Sequence, residues 1–130
     1  MPFSFNLAEK IAILKMNMGP GPMFDLMGGF SFYAVLAAVR LGVFEALGHD
    51  TLSPETLAKR LHCDPRGLSI LLDVLDSLGY CRRRGGDFRN SAMTKKWMLS
   101  SSKVNYSHGF RYYGPATEAL FPLLDRSVKK

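Results

Sequence analysis

The chain has 130 residues and a hydrophobic content of 47%, enough for one domain with a buried core. Its formal charge of +6 permits a nucleic-acid or acidic-membrane partner without requiring one. Two isolated cysteines, Cys63 and Cys81, exclude a disulfide framework and a metal-type cysteine spacing, and they read as small thiols of a cytoplasmic protein. Met1 to Lys15 lacks a basic start followed by an apolar run, so no secretory signal is expected.

In chain order, the first predicted element is a helix from about Leu7 to Met18, with Asn6 as its cap and Glu9 completing a capping box. Leu7, Ile11, Leu14 and Met18 form its apolar stripe. Gly19-Pro20-Gly21-Pro22 ends it and reads as a hinge; the glycine spacing does not fit a phosphate loop and no strand precedes it. Met16, Met18, Met23, Phe24 and Met27 surround the hinge with soft apolar side chains.

A second helix is expected from Phe30 to Leu47. Its apolar residues point in nearly every direction, and a helix of that kind must be covered on all sides. A domain this small has few elements to cover it, so the simplest cover is a second copy of the chain; the alternative is that the N-terminal helix and the C-terminal segment cover it within one subunit. Leu7, Ile11, Leu14, Phe32, Tyr33, Leu36, Val39 and Val43 are the expected interface residues. Arg40 and Glu45 interrupt the apolar run, which argues for a buried helix and against a membrane span.

From Leu52 to Leu99 the pattern is helix, turn, helix, hairpin, short helix. Ser53-Pro54 and Asp64-Pro65 are two helix starts, each a capping oxygen followed by proline in the first turn. Leu57, Ala58 and Leu61 share one face of the first helix, which ends at His62-Cys63. Leu68, Leu71, Leu72, Leu75 and Leu78 line the second, which stops at Gly79. Tyr80–Arg84 and Asp87–Asn90 then form a two-stranded hairpin around Gly85-Gly86. This order makes a winged helix-turn-helix. Ser91 caps a short helix carrying Met93, Trp97 and Met98, and Ser100-Ser101-Ser102 marks a loop. Tyr106, Phe110, Tyr112 and Tyr113 crowd the next stretch, and Gly114-Pro115 is expected to start the last helix, disturbed at Pro122.

The expected fold is therefore mostly α: a winged helix-turn-helix (30–99) with one short β-hairpin, an N-terminal dimerisation helix and hinge (1–29), and an aromatic segment with a C-terminal helix (100–130). As a DNA reader it is poorly equipped. The outward face of the second helix carries Arg66, Ile70, Asp73, Val74 and Ser77, and carboxylates facing phosphates weaken binding. The wing is more suitable, since Arg82, Arg83, Arg84 and Arg89, with Lys95 and Lys96, could clamp phosphates; cations also discourage pairing at a solvated strand edge.

The run LAAVRLGVFEALG, followed by LSPETLAKRLHCDPRGLSILLDVLDSLGYCRRRGGDFRNSAMTKKWM, resembles the N-terminal dimerisation domain of small-molecule O-methyltransferases that use S-adenosylmethionine. The segment ending ALFPLLDRSVKK is similar to the helix that leads into their catalytic domain. The resemblance implies a homodimer that helps wall the pocket for an aromatic or polyketide-like acceptor. Met23, Phe24, Met27, Tyr106, Phe110, Tyr112 and Tyr113 are the candidate wall.

The cofactor-binding half of the family has no counterpart here: no glycine-rich strand-to-helix turn lies in a βαβ unit, and no acidic residue is placed for a ribose. None of His49, His62 and His108 sits in a motif matching the family's catalytic histidine. The expectation is a part of a methyltransferase with no catalytic, cofactor or metal residue of its own. The alternatives are a winged-helix DNA-binding regulator and a free-standing small-molecule-binding module.

Overall fold

The computed structural model describes residues 6–14 and 21–129. Helix ends follow their local signals. In α1 (Leu7–Leu14) the Asn6 side chain accepts from the Glu9 N–H at 2.8 Å, and the Glu9 carboxylate accepts from the Asn6 N–H at 2.9 Å. Ser53 caps α4 (Pro54–Leu61) by accepting from the Thr56 N–H, and Asp64 caps α5 (Pro65–Ser77) by accepting from the Gly67 N–H at 2.6 Å. At the far end of α5, the Tyr80 and Gly79 N–H groups return to the Leu75 and Asp76 carbonyls. That closure needs a left-handed residue, which Gly79 supplies at φ 81°.

The sheet holds one strand more than expected. The hairpin of β2 (Cys81–Arg84) and β3 (Asp87–Asn90) is joined by β1 (Thr51–Leu52), giving the antiparallel order β1-β3-β2. Two residues of strand carry no periodicity to read, and only the free edge of β3 makes them one. Asn90 ties this sheet to α3 (Val43–Leu47), donating from Nδ2 to the Phe44 and Gly48 carbonyls at 2.8 and 2.9 Å. It thereby gives the Phe44 carbonyl, which already accepts from the Gly48 N–H, a second donor and ties the Gly48 carbonyl just past the helix end to the sheet.

The core lies between α3, α4, α5 and the inner face of the sheet. Val43, Phe44, Leu47, Leu57, Ala58, Leu68, Leu72, Leu75, Cys81 and Phe88 are buried there, closed by Met98 and Leu99 after α6 (Ala92–Trp97). The expected leucine stripe of α5 is this core's centre, with Leu71 at its margin.

The long helix differs from expectation at both ends. It is α2 (Gly21–Leu41), beginning nine residues before Phe30 and stopping before Gly42, which turns the chain at φ 77° into α3. Gly21-Pro22 suits a helix start, and Gly28-Gly29 are carried inside. The boundary drawn between residues 29 and 30 thus falls within one helix. Lys15–Pro20, with Met16, Met18 and half of the expected hinge, lie outside the described residues, as does the side chain of Leu14.

α2 has two apolar faces. Val35, Leu36, Ala38 and Val39 face inward, Leu36 being 1% exposed; Met23, Leu26, Phe30 and Tyr33 face outward, Phe30 being 61% exposed. By length and composition Pro22–Leu41 could cross a membrane, but Val35, Leu36, Ala38 and Val39 in its second half are buried in the domain's own core.

The last long helix, α7 (Ser107–Leu120), also starts early. It runs through Gly114-Pro115, then passes through a 3-10 turn at Phe121–Leu123, where Pro122 sits, into α8 (Leu124–Val128). An internal proline loses a backbone hydrogen bond, so docking must hold the helix together. The docking is a ladder at four-residue spacing on both helices. Phe32 stacks on Phe110 with ring centres 5.6 Å apart, Leu36 packs on Gly114, and Arg40 pairs with Glu118 through hydrogen bonds of 2.9 and 3.1 Å. The residue numbers rise together, so α2 and α7 run the same way. A Cβ on Gly114 would stand 2.8 Å from Leu36 Cδ1, so the middle rung admits only glycine without displacement.

Gly114→Val should therefore lower the urea unfolding free energy by about 1–3 kcal/mol, an overpacking effect. Glu118→Gln, which removes only an exposed ion pair, should give a smaller effect that salt also produces.

Burial pushes the Cys81 thiol up to about 12, with the Asp76 charge adding to it. Above the ordinary value of 9.0 the unfolded chain loses this proton while the folded chain keeps it, so stability should fall as pH rises from there. Alkylation of the native protein by iodoacetamide, read by mass spectrometry, should spare Cys81 and reach it only after unfolding.

Candidate functional site

Two apolar clefts flank the Phe32–Phe110 stack. The larger, about 190 Å³, lies between Gly28, Ser31, Phe32 and Val35 of α2, Leu78 and Tyr80 after α5, and Phe110 of α7. The smaller, about 100 Å³, is lined by Phe32, Tyr106, Gly109, Phe110 and Tyr113. The two rings form a partition between them. Gly109 leaves room for the Tyr106 ring, whose Cε1 would lie 3.1 Å from an added Cβ.

Polar groups at the clefts are few. The Ser31 hydroxyl is already committed, donating to the Met27 carbonyl at 2.7 Å. Tyr80 is half-buried, stacks on Phe44 at 5.7 Å, and has its phenol pushed above the usual range by burial. Its hydroxyl has no protein partner among the described residues, so it can offer a hydrogen bond to an occupant. An apolar slot between rings with one or two phenolic tips suits a flat aromatic molecule.

The structure divides the expected wall residues. Tyr106, Phe110 and Tyr113 come together around the smaller cleft, with Phe110 also packed against the core. Tyr112 is exposed, does not line that cleft, and meets Tyr113 edge-on at 5.2 Å. Met23, Phe24 and Met27 lie on earlier turns of α2 and line neither cleft. Phe32 and Tyr80 take their place. The signal for Phe32 was present in the sequence as the shared four-residue spacing of 32/36/40 and 110/114/118; nothing local marked Tyr80.

The expected interface residues divide as well. Leu36, Val39 and Val43 are spent in the chain's own core, because α7 and α3 cover that side of the helix. Phe32 is half-buried in the ladder, whereas Leu7, Ile11 and Tyr33 are exposed. Leu26 and Phe30, not among those expected, extend the outward stripe. Further open apolar surface runs along Leu120, Phe121, Leu123, Leu124 and Val128 at the C-terminal end.

The outward face of α5 is tied to the β2–β3 hairpin. Arg83 pairs with Asp73 at 2.9 Å, its N–H reaches the Asp76 carboxylate, and its guanidinium lies over Phe88. His49, His62 and His108 are all exposed, on three separate parts of the surface.

The family model for the O-methyltransferase dimerisation domain matches residues 24–100. The chain belongs to this family. Among curated relatives, the domain is 33% identical over 110 residues to acetylserotonin O-methyltransferase of Rattus norvegicus, covering 83% of this chain and 26% of that protein. It is 34% identical over 112 residues to 3-hydroxy-5-methyl-1-naphthoate 3-O-methyltransferase of Streptomyces sahachiroi, covering 78% of this chain and 32% of the relative. Among solved structures it superposes on PigF with SAH at a TM-score of 0.77 and 26% identity, covering 83% of this chain and 32% of the other. Human N-acetylserotonin methyltransferase in complex with SAM shares the fold at a TM-score of 0.72 and 22% identity, over 98% of this chain and 36% of that one. The dimerisation domain thus spans about a quarter to a third of the length of these relatives.

Proposed function

We propose that this dimerisation domain assembles two copies of a small-molecule O-methyltransferase and contributes an aromatic wall to its acceptor pocket, without transferring a methyl group on its own. The observation that carries the reading is the outward apolar stripe of α2. Met23, Leu26, Phe30 and Tyr33 recur at spacings of three, four and three, which is the seam along which helices pair, and all four are exposed in the single chain. The acceptor class follows from the clefts and from the aromatic substrates named for the relatives, acetylserotonin and a naphthoate.

S-adenosylmethionine does not fit the described residues. The sheet is antiparallel throughout, its strands lead into α4 and α6 through Ser53 and Ser91 caps, and no glycine-rich strand-to-helix turn is formed. Cofactor binding is accordingly assigned to the remainder of a longer enzyme. Helix, helix and wing in this order support the winged-helix reading. The Arg83–Asp73 pair, which neutralises the helix face that would enter a groove, supports use of that fold as a scaffold.

Sedimentation at micromolar concentration should show a dimer. Phe30→Glu with Tyr33→Glu should give a folded monomer, while Leu36→Asp should give unfolded protein because that side chain is core. A folded monomer of the unaltered chain at high concentration would overturn the assembly reading.

In the longer enzyme, Tyr113→Ala should raise the acceptor KM several-fold and leave cofactor affinity unchanged. Tyr113 is exposed, so this variant avoids the core damage that Phe110→Ala would bring. Equal losses for both ligands would overturn the pocket reading.

A further inference from the structure

Six arginines and lysines belong to the wing and α6, and the fold treats them unequally. Arg83 is paired with Asp73, Arg84 stands across the hairpin from Asp87, and Lys96 lies over the Trp97 ring at 5.1 Å. Arg82, Arg89 and Lys95 have no acidic partner among the described residues. Arg82 and Arg89 are also direct cross-strand partners, so both point from the same outer face of the sheet, with Thr51 beside Arg89 on β1. Like charges placed directly opposite destabilise a sheet, and neither member of this pair forms an ion pair among the described residues; Asp87, two residues along the same face, stands across from Arg84 instead.

The same three cations meet at a cleft. It measures about 360 Å³, larger than either aromatic cleft, and is lined by Arg82, Arg89, Asn90, Ser91, Ala92 and Lys95. Of the other lining side chains, the Asn90 amide nitrogen is spent on the Phe44 and Gly48 carbonyls and the Ser91 hydroxyl on Thr94, so the three cations are the side-chain donors the cleft offers. The like-charge pair and the cleft are separate observations at one place.

We infer that this cleft binds a phosphomonoester or diphosphate group of a small molecule. Three formal positive charges around one cavity match a di- or trianion, whereas a single carboxylate would leave two of them unanswered. Guanidinium forks engage two oxygens of such a group at once, and Lys95 adds a point charge. The site lies on the outer face of the sheet, apart from the α2–α7 clefts, and shares no lining residue with them. Duplex DNA fits less well, because the helix that would have to lie in a groove presents Asp73, Ile70 and Val74.

The test is calorimetric titration of the full chain with inorganic pyrophosphate and, separately, phenyl phosphate at low ionic strength. Saturable one-to-one binding of either is expected, and the tighter of the two identifies the source as a diphosphate or a monoester. Arg82→Gln with Arg89→Gln should weaken it at least about tenfold, the loss of charge-assisted hydrogen bonds, and Arg126→Gln should not. Without ligand, Arg89→Gln should hold or raise Tm, since it removes the like-charge contact; a residue kept for packing would lower it. Binding that the double substitution leaves unchanged would overturn the proposal, as would no saturation by either anion. Retention of a random-sequence DNA duplex that pyrophosphate cannot displace would overturn it in favour of a nucleic-acid face.

Discussion

The close approach of α2 and α7 at Gly114 is the constraint on which the rest of this domain depends. Without a side chain at that position, Leu36 can fill the space between two parallel helices, and the rungs on either side come into register. The Phe32–Phe110 stack closes one end and the Arg40–Glu118 pair orients the other. The three contacts differ in kind. The apolar rungs gain from burial and shape, whereas the ion pair, exposed at both partners, adds direction more than stability. Because the ladder holds α7 on both sides of Pro115, the helix survives a residue that would break it in isolation.

That ladder also decides what faces outward. By covering the Leu36 side of α2, it leaves Met23, Leu26, Phe30 and Tyr33 as the open stripe. It places Tyr106 and Tyr113 beside the aromatic partition, so the open stripe and the aromatic clefts are two consequences of one packing arrangement. A helix apolar on all sides is covered here by its own domain on one side only, and the other side stays open.

The wing illustrates how a charged surface can be partitioned. Arg83 is bound to the α5 carboxylates, and this neutralises the surface a DNA reader would need free. Arg82, beside it on β2, and Arg89 on β3 are left facing each other. A mostly helical domain with a small three-stranded sheet is what the chain shares with the dimerisation-domain family to which it belongs.

What the sequence by itself determined was everything that needs only near neighbours. The Asn6–Glu9 box, the Ser53, Asp64 and Ser91 caps, the Gly79 closure, the leucine stripe of α5 and the hairpin turn are each specified within a few residues, by side chains that must satisfy nearby N–H and C=O groups. Family membership was legible too, because those local features occur in a distinctive order. Tertiary structure alone decided which side of α2 is core, because its pattern is apolar on both. It decided that Gly114-Pro115 lies inside a helix, because the partner that overrides proline is 78 residues away along the Arg40–Glu118 contact. It made a strand of Thr51–Leu52, which only the edge of β3 can define. And it brought Phe32 and Tyr80 to the clefts in place of Met23, Phe24 and Met27, since a concave surface belongs to several elements at once and no one of them encodes it.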